Sequence, residues 1–316
     1  MTLIPKNTQE TLLTHNNYVV GLSGGVDSVV ALYCMKQIVE NQQGESSLRA
    51  IHINHGLSDN ADYWEEFCQA TCDEYGVDLT IIKVELDGTK NIEANARQAR
   101  YTAIRENLSN EECLVTGHHE DDQAETILLA LKRGSGLDGL CAMAPFSVVN
   151  GIPIHRPLLS VGRDEIEEYA RNLNIEWIED DSNTDTSFDR NFLRHEILPL
   201  LKERWPSFTK TAGRSSQMCQ SSREVTENFA ESYVDRAIEL GFIYRNEIEH
   251  KSSSYKFYIL REWFKRSEVK PQSLARMKEI ERAVINSRHA AKPKLQLDKD
   301  KWLVRIGDKI YIHREE

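Results

Sequence analysis

The chain of 316 residues contains no run of about 18 apolar side chains, the length a membrane-spanning helix needs. Its start, Met1 to Asn16, is polar and holds no apolar segment of the kind that directs secretion, so the expected location is the cytoplasm. Cysteine is sparse. The six residues Cys34, Cys68, Cys72, Cys113, Cys141 and Cys219 never stand as Cys-x-x-Cys. That spacing excludes a zinc ribbon, offers no obvious iron–sulfur ligand set and predicts reduced thiols. Internal repeats and low-complexity segments are missing too. Positive charge is in deficit, with 39 Lys and Arg against 50 Asp and Glu and a net charge of −11. Taken whole, that balance argues against nucleic acid.

The distribution argues the other way. Residues 1–189 carry 13 basic and 32 acidic side chains, whereas residues 190–316 carry 26 and 18. Within 251–294 the count is 12 against 4. A charge split between halves suggests a localised nucleic-acid surface, although a solvated helical face would look the same by charge alone.

What the chain does have is a short apolar run, Tyr18 to Leu22, that breaks into Ser23-Gly24-Gly25-Val26-Asp27-Ser28 and continues as a helix. A strand, a glycine turn and a helix start together present backbone N–H groups to a phosphate at the positive helix end. Gly24 and Gly25 let the main chain approach an anion closely. Ser23 and Ser28 add hydroxyls, and Asp27 can hold a divalent cation against phosphate oxygens. The turn has neither the lysine of the common nucleotide-triphosphate loop nor the Gly-x-Gly-x-x-Gly order.

Further along, strands are predicted at Leu48–Ile53, Leu79–Val84 and Cys113–Thr116, alternating with helices at Asp62–Tyr75, Ile92–Leu108 and Asp121–Leu131. This alternation predicts an α/β fold, a parallel Rossmann-like sheet with helices on both faces. Ligands in such sheets sit at the carboxyl ends of the strands. Three clusters follow strand ends directly, at Ser23–Ser28, His52–Gly56 and Gly117–Glu125, so they are expected to share one crevice. Pro153–Leu159 reads as an extended closing segment and Asp164–Leu173 as a helix. Three parts are expected: a catalytic domain over 1–190, a helical region over 191–245 and a small basic α+β domain over 246–316. In the last part a helix at Gln272–Arg288 precedes short strands at Lys294–Leu297, Trp302–Ile306 and Lys309–His313, with a turn at Gly307-Asp308.

Glu93, Arg97 and Arg100 fall on one helical face. They are either a surface ion pair or guanidinium groups aimed at phosphate. In Gly117-His118-His119-Glu120-Asp121-Asp122-Gln123-Ala124-Glu125-Thr126, Asp122 and Glu125 share a face and could grip a metal or an ammonium group. His118 and His119 could move protons near neutral pH. Acidic capping of a helix N-terminus is the simpler alternative. Arg133 opens a glycine-rich loop. Arg190-Asn191-x-x-Arg194 offers a basic pair at i, i+4 that suits phosphate.

The turn Ser-Gly-Gly-Val-Asp-Ser resembles that of the PP-loop ATP pyrophosphatases. Together with His52–Gly56, Asn91–Tyr101, His118–Thr126, Arg133–Leu137, Arg156–Leu159, Glu179–Asn183 and Arg190–Arg194, the chain over 18–201 resembles the tRNA(Ile)-lysidine synthetase family. The resemblance implies an ATP-dependent ligase for tRNA modification. The wobble cytidine of the CAU anticodon of tRNA(Ile) is adenylated at its C2 oxygen, and L-lysine then displaces AMP. It implies ATP held by Ser23–Ser28, His52 and Ile53, and Mg²⁺ on Asp27. Arg97 and Arg100 would act at the α-phosphate. Asp122 and Glu125 would hold lysine near His118 or His119, and Arg133, Arg190, Asn191 and Arg194 would face tRNA. The basic half would grip the tRNA, no membrane is implied, and a homodimer is left open. The rivals are a tRNA thiolation enzyme, which should need sulfur-carrying cysteines; an amidotransferase synthetase, for which no glutaminase domain fits; and a non-catalytic tRNA-binding protein, which would not need Asp27, Asp122 and Glu125.

Overall fold

A computed structural model gives the fold of residues 2–12, 14–42, 46–54, 56, 60–84, 92–179, 185–288 and 291–315; the side chains of 92–97 and 229 lie outside the description. In chain order the elements are α1 (Lys6–Leu12), β1 (Asn17–Gly21), α2 (Val26–Glu40), β2 (Ser47–Asn54), α3 (Ala61–Tyr75), β3 (Asp78–Lys83), α4 (Ile92–Asn107) and β4 (Glu112–Val115). There follow α5 (Glu120–Lys132), α6 (Leu137–Leu140), β5 (Phe146–Val149), β6 (Ile152–His155), α7 (Arg163–Asn172), α8 (Asp189–Phe192), a π-helical turn at Leu193–Ile197 and α9 (Leu198–Arg204). The long α10 (Phe208–Leu240) leads to β7 (Phe242–Tyr244), α11 (Arg245–Ile248), α12 (Ser253–Arg266), α13 (Leu274–Ile280), a second π turn at Glu281–Ile285, β8 (Lys294–Gln296), β9 (Lys301–Ile306) and β10 (Lys309–Arg314). Two compact units result, Met1–Gln220 and Ser221–Glu316, and the division falls inside α10.

The first unit is built on a six-stranded sheet ordered β3-β2-β1-β4-β6-β5, parallel except for β5. The central strand β1 is apolar on both faces because both are covered. Tyr18 and Val20 enter one core with α2, α3 and α7, while Val19 enters the other with Tyr101 and Ile104 of α4. The strand order reverses between β1 and β4. That is a topological switch point, where the loops beyond the two carboxyl ends open a crevice. The parallel α/β sheet expected from the alternation is therefore present.

One hairpin departs from expectation. The extended segment expected over Pro153–Leu159 is extended only as far as His155, in β6, which pairs antiparallel with β5 across Asn150-Gly151. Both turn residues have positive φ, 52° and 80°, which is the twist a two-residue hairpin needs. Among the described residues no helix is long and apolar enough to cross a membrane.

The second unit is a four-stranded antiparallel sheet ordered β7-β10-β9-β8. Ala230, Val234 and Ala237 of α10 recur every three to four residues and enter its core with Trp263, Met277 and Ile280. The expected strands over 294–313 are present. β7, α11 and α12 are additions; α12 is capped by Ser252, whose hydroxyl accepts from Tyr255 N at 3.3 Å. Arg305 is fully buried and has no carboxylate partner among the described residues. Its Nη1 donates to Val284 O at 2.8 Å and Ser287 O at 3.2 Å, and its Nη2 to Arg288 O and Ala291 O. It closes the carbonyl end of the second π turn, where positive charge is favoured.

Replacing Arg305 with Met should leave those carbonyls unanswered and destabilise the second unit by about 3–5 kcal/mol. Urea denaturation checks this; a loss under about 1 kcal/mol would mean the guanidinium is dispensable.

Candidate active site at the switch point

The turn after β1 is held in a tight, hydrogen-bonded shape. Gly24 has φ 86°, and a Cβ there would lie 2.6 Å from Ile178 Cδ1. Ser23 N donates to Ser28 Oγ at 3.1 Å, Ser28 Oγ donates to Gly25 O at 2.9 Å, and the two serine hydroxyls lie 3.1 Å apart. Gly25 is the N-cap of α2 and supplies no side-chain cap. The α2 N-terminus therefore keeps amides for an anion.

The turn after β4 comes up against it. A Cβ on Gly117 would meet Asp27 O at 2.6 Å, Asp27 C at 2.7 Å and Ser28 N at 3.0 Å. No side chain fits, and the two loops touch backbone to backbone. Two residues on, His119 caps α5. Its Nδ1 accepts from Asp122 N at 3.4 Å, and Asp122 Oδ2 accepts from His119 N at 3.1 Å. His119 Nε2 then faces Asp27 Oδ2 at 3.6 Å and Asp122 Oδ2 at 3.4 Å.

Arg194 joins from the π turn after α8. Its Nε donates to Glu125 Oε1 at 2.8 Å, and its Nη2 to Glu125 Oε2 at 3.2 Å and Asp122 Oδ1 at 2.9 Å. Single π turns recur at functional sites. One guanidinium thus answers both carboxylates that the helical spacing put on one face. Arg163, at the start of α7, lies 3.4 Å from Asp27 Oδ2 and bonds Glu167 at 3.1 Å.

The electrostatics separate the two histidines. Burial drives His118 down to about 4; Asp122 opposes the shift and Arg156 and Arg190 add to it, so the ring is neutral at pH 7. Burial also works against a charge on His119, but Asp122, Asp27 and Asp121 outweigh it and raise its pKa. A proton on Nδ1 would have to displace the cap, so charging and capping compete for one atom. Burial pushes the Asp122 carboxyl up, and His119, His118 and Arg194 bring it below the usual range. Glu125, fully buried, is pushed up by burial against the pull of Arg194. Arg194 is itself disfavoured as an ion by burial, yet Glu125 and Asp122 hold it charged. Asp27 Oδ1 is buried and has no hydrogen-bond partner among the described residues. An unanswered carboxylate oxygen beside a phosphate-binding turn suits a hard cation such as Mg²⁺.

The site residues named from the sequence fall in several places. Ser23–Ser28, His118, His119, Asp122, Glu125 and Arg194 come together, and Arg190 is near enough to influence His118 and Glu125. Arg133 caps the far end of the 13-residue α5, about 16 Å from Asp122 at 1.5 Å per residue. His52 is buried; its Nδ1 donates to Leu22 O at 2.8 Å and steadies the strand end, while burial lowers its pKa. Ile53 is packed at the edge of the second core. Asn191 Nδ2 donates to Asp185 O at 3.0 Å. Arg100 is exposed on α4; the Arg97 side chain and residues 180–184 lie outside the described residues. Arg163 carries no motif signal, and sequence reasoning misses it. Gly117 stands in a recognised cluster, but its steric role is visible only in three dimensions.

The PP-loop domain model matches residues 3–201, so the crevice is that of a PP-loop domain. Over 302 residues the chain is 40% identical to the tRNA(Ile)-lysidine synthase of Haemophilus influenzae strain 86-028NP, covering 95% of this chain and 70% of that one. Over 304 residues it is 39% identical to the enzyme of the same name from Actinobacillus pleuropneumoniae serotype 3 strain JL03, covering 96% and 71%. The chain belongs to the tRNA(Ile)-lysidine synthase family. A solved U34-tRNA thiolase from Methanococcus maripaludis, holding a [4Fe–4S] cluster, shares the fold with a TM-score of 0.54 and 19% identity over 67% of this chain and 77% of that one.

Removing Arg194 should strand Glu125 as a buried, unpaired carboxylate. Arg194→Met is expected to cost about 3–5 kcal/mol near neutral pH. Burial alone would then hold the Glu125 pKa above its unfolded value. A raised carboxyl pKa favours the fold below the unfolded pKa, and the advantage is lost as pH rises through the folded value. The deficit should therefore widen between about pH 5 and pH 8 in urea titrations; a deficit constant with pH would contradict the burial of that charge.

Proposed function

We propose that this chain ligates L-lysine to C2 of the wobble cytidine in the CAU anticodon of tRNA(Ile), splitting ATP into AMP and pyrophosphate. The observation that carries the reading is the backbone contact at Gly117. It sets a phosphate-binding turn within reach of an arginine–carboxylate–histidine cluster in one crevice. The first half of the reaction needs the turn: the Ser23–Ser28 amides and hydroxyls receive the departing pyrophosphate while the C2 oxygen of the base takes the AMP group. Asp27 would hold Mg²⁺, which supplies positive charge to the phosphate oxygens. Arg97 and Arg100 are assigned to the α-phosphate.

The second half needs the cluster. Asp122 and Glu125 receive the lysine ammonium groups, and Arg194 is the counter-ion that occupies them until the amino acid arrives. The attacking amine, with an ordinary pKa of about 10.4, must first lose a proton. His118, its pKa driven by burial to about 4, is too weak a base to take it, and is assigned to line the lysine site beside Asp122 as a neutral ring. Arg190 and the exposed basic residues of the second unit are assigned to tRNA phosphates, and Mg²⁺, ATP, lysine and tRNA are the full set of reactants and cofactor.

Lysidine, identified by mass spectrometry of the wobble nucleoside after incubation with ATP, Mg²⁺ and lysine, is the expected product. A thiolated base, or no modification, would contradict the reading. Asp27→Ala should abolish AMP release and leave tRNA affinity within about twofold; equal loss of both would contradict the division of labour. Neutralising the exposed Lys278, Arg282 and Arg288 should weaken tRNA binding and flatten its dependence on log salt by about one for each phosphate left without its cation. An unchanged slope would place the tRNA elsewhere.

A further inference from the structure

Two exposed aromatic rings stand beside the arginine–carboxylate cluster, and no step above uses them. Phe188 is the N-cap of α8 and Phe192 its last residue. Phe192 N donates to Phe188 O at 2.9 Å, so the side chains sit one turn apart on one side of the helix, where Cβ atoms are about 5–6 Å from each other. They are 42% and 45% exposed. A phenylalanine left that far in water forgoes much of the gain of burial.

The segment is nevertheless held firmly. Asp185 Oδ1 accepts from Ser187 N at 2.9 Å, and Asn191 Nδ2 donates to Asp185 O at 3.0 Å. Lys132 Nζ holds both oxygens of Asp189 at 2.6 Å. Two residues beyond Phe192, Arg194 forks onto Glu125 and reaches Asp122. α8 is thus pinned at both ends with its rings facing out. Arg190 lies between them in sequence and is half-buried near the cluster. Two exposed rings on a short segment that also carries Arg190 match an unpaired nucleobase with its phosphate. An apolar protein segment would fit less well, since it would leave the positive charge of Arg190 without an anion.

We propose that Phe188 and Phe192 form a stacking surface for an unpaired base of the RNA substrate, adjacent to the nucleotide that reacts. The inference rests on the RNA-modifying reading above. It adds a recognition element set by shape and π-stacking to one set by charge, at a place where the RNA must leave its bases splayed for the reaction.

The test uses the full chain, unmodified tRNA, and an anticodon stem–loop carrying 2-aminopurine next to the wobble position. Phe188→Ala and Phe192→Ala should each raise the KM for tRNA about 5- to 100-fold while leaving kcat and the KM for ATP within about twofold. Phe192→Tyr should restore the wild-type KM, and Phe192→Leu, equally apolar but without a flat face, should not. Wild-type protein should change the 2-aminopurine emission on binding, and Phe192→Ala should not. Rescue by leucine equal to that by tyrosine, or an unaltered tRNA KM in both alanine variants, would overturn the proposal. The emission change needs no catalysis. A wild-type chain that shifts it but forms no lysidine would contradict the proposed reaction rather than the stacking surface.

Discussion

The backbone contact between Gly117 and the first turn of α2 is the constraint from which the site follows. With any Cβ at 117 within 2.6 Å of Asp27 O, the loop after β4 would have to back away. His119 would then lose its place 3.6 Å from Asp27, and α5 would carry Asp122 and Glu125 off with it. The switch point between β1 and β4 brings the two loops to the same end of the sheet. The missing side chain lets them touch. Charge then becomes dense: Asp27, Asp122 and Glu125 share a partly dry crevice with His119, Arg163 and Arg194. Such a group is stable only while each charge is answered, because removing one partner leaves another uncompensated at low dielectric.

Local charge counts need correcting for charges spent on structure. The basic excess of the C-terminal part includes Arg305, held by backbone carbonyls; Lys301, donating to Ser267 O at 3.2 Å and to Glu268 O; and Lys256, paired with Glu281 at 3.0 Å. Arg276 bonds Glu279 at 2.6 Å and also reaches Gln296 O. Lys278, Arg282 and Arg288 are exposed. The charge asymmetry is real, but the part available to an RNA backbone is smaller than the count.

Local pattern reveals the architecture well where it is periodic or punctuated. The apolar β1, the glycine turn and the strand–helix alternation each have one physical reading, and the convergence of strand-end loops follows from parallel topology. The Asn150-Gly151 hairpin is also written in the chain, but proline at 153 favours an extended reading instead. Arg194 looks like a phosphate ligand because i, i+4 spacing reports only which residues share a face. That its fork closes on Asp122 and Glu125 depends on chain 69 residues away. Arg163 and Gly117 are illegible for the same reason, since a steric limit or a cross-chain ion pair leaves no mark on neighbouring sequence. Arg133, expected to face tRNA, stands at the far end of α5 from Asp122, a separation that helix length alone sets.

Amide hydrogen exchange with and without Mg²⁺ and a non-hydrolysable ATP analogue tests the shared crevice most directly. The account predicts that nucleotide protects the amides of Gly24–Asp27 and those of 117–119 together, because one contact joins the two loops. Protection confined to one loop, or found away from both, would contradict it.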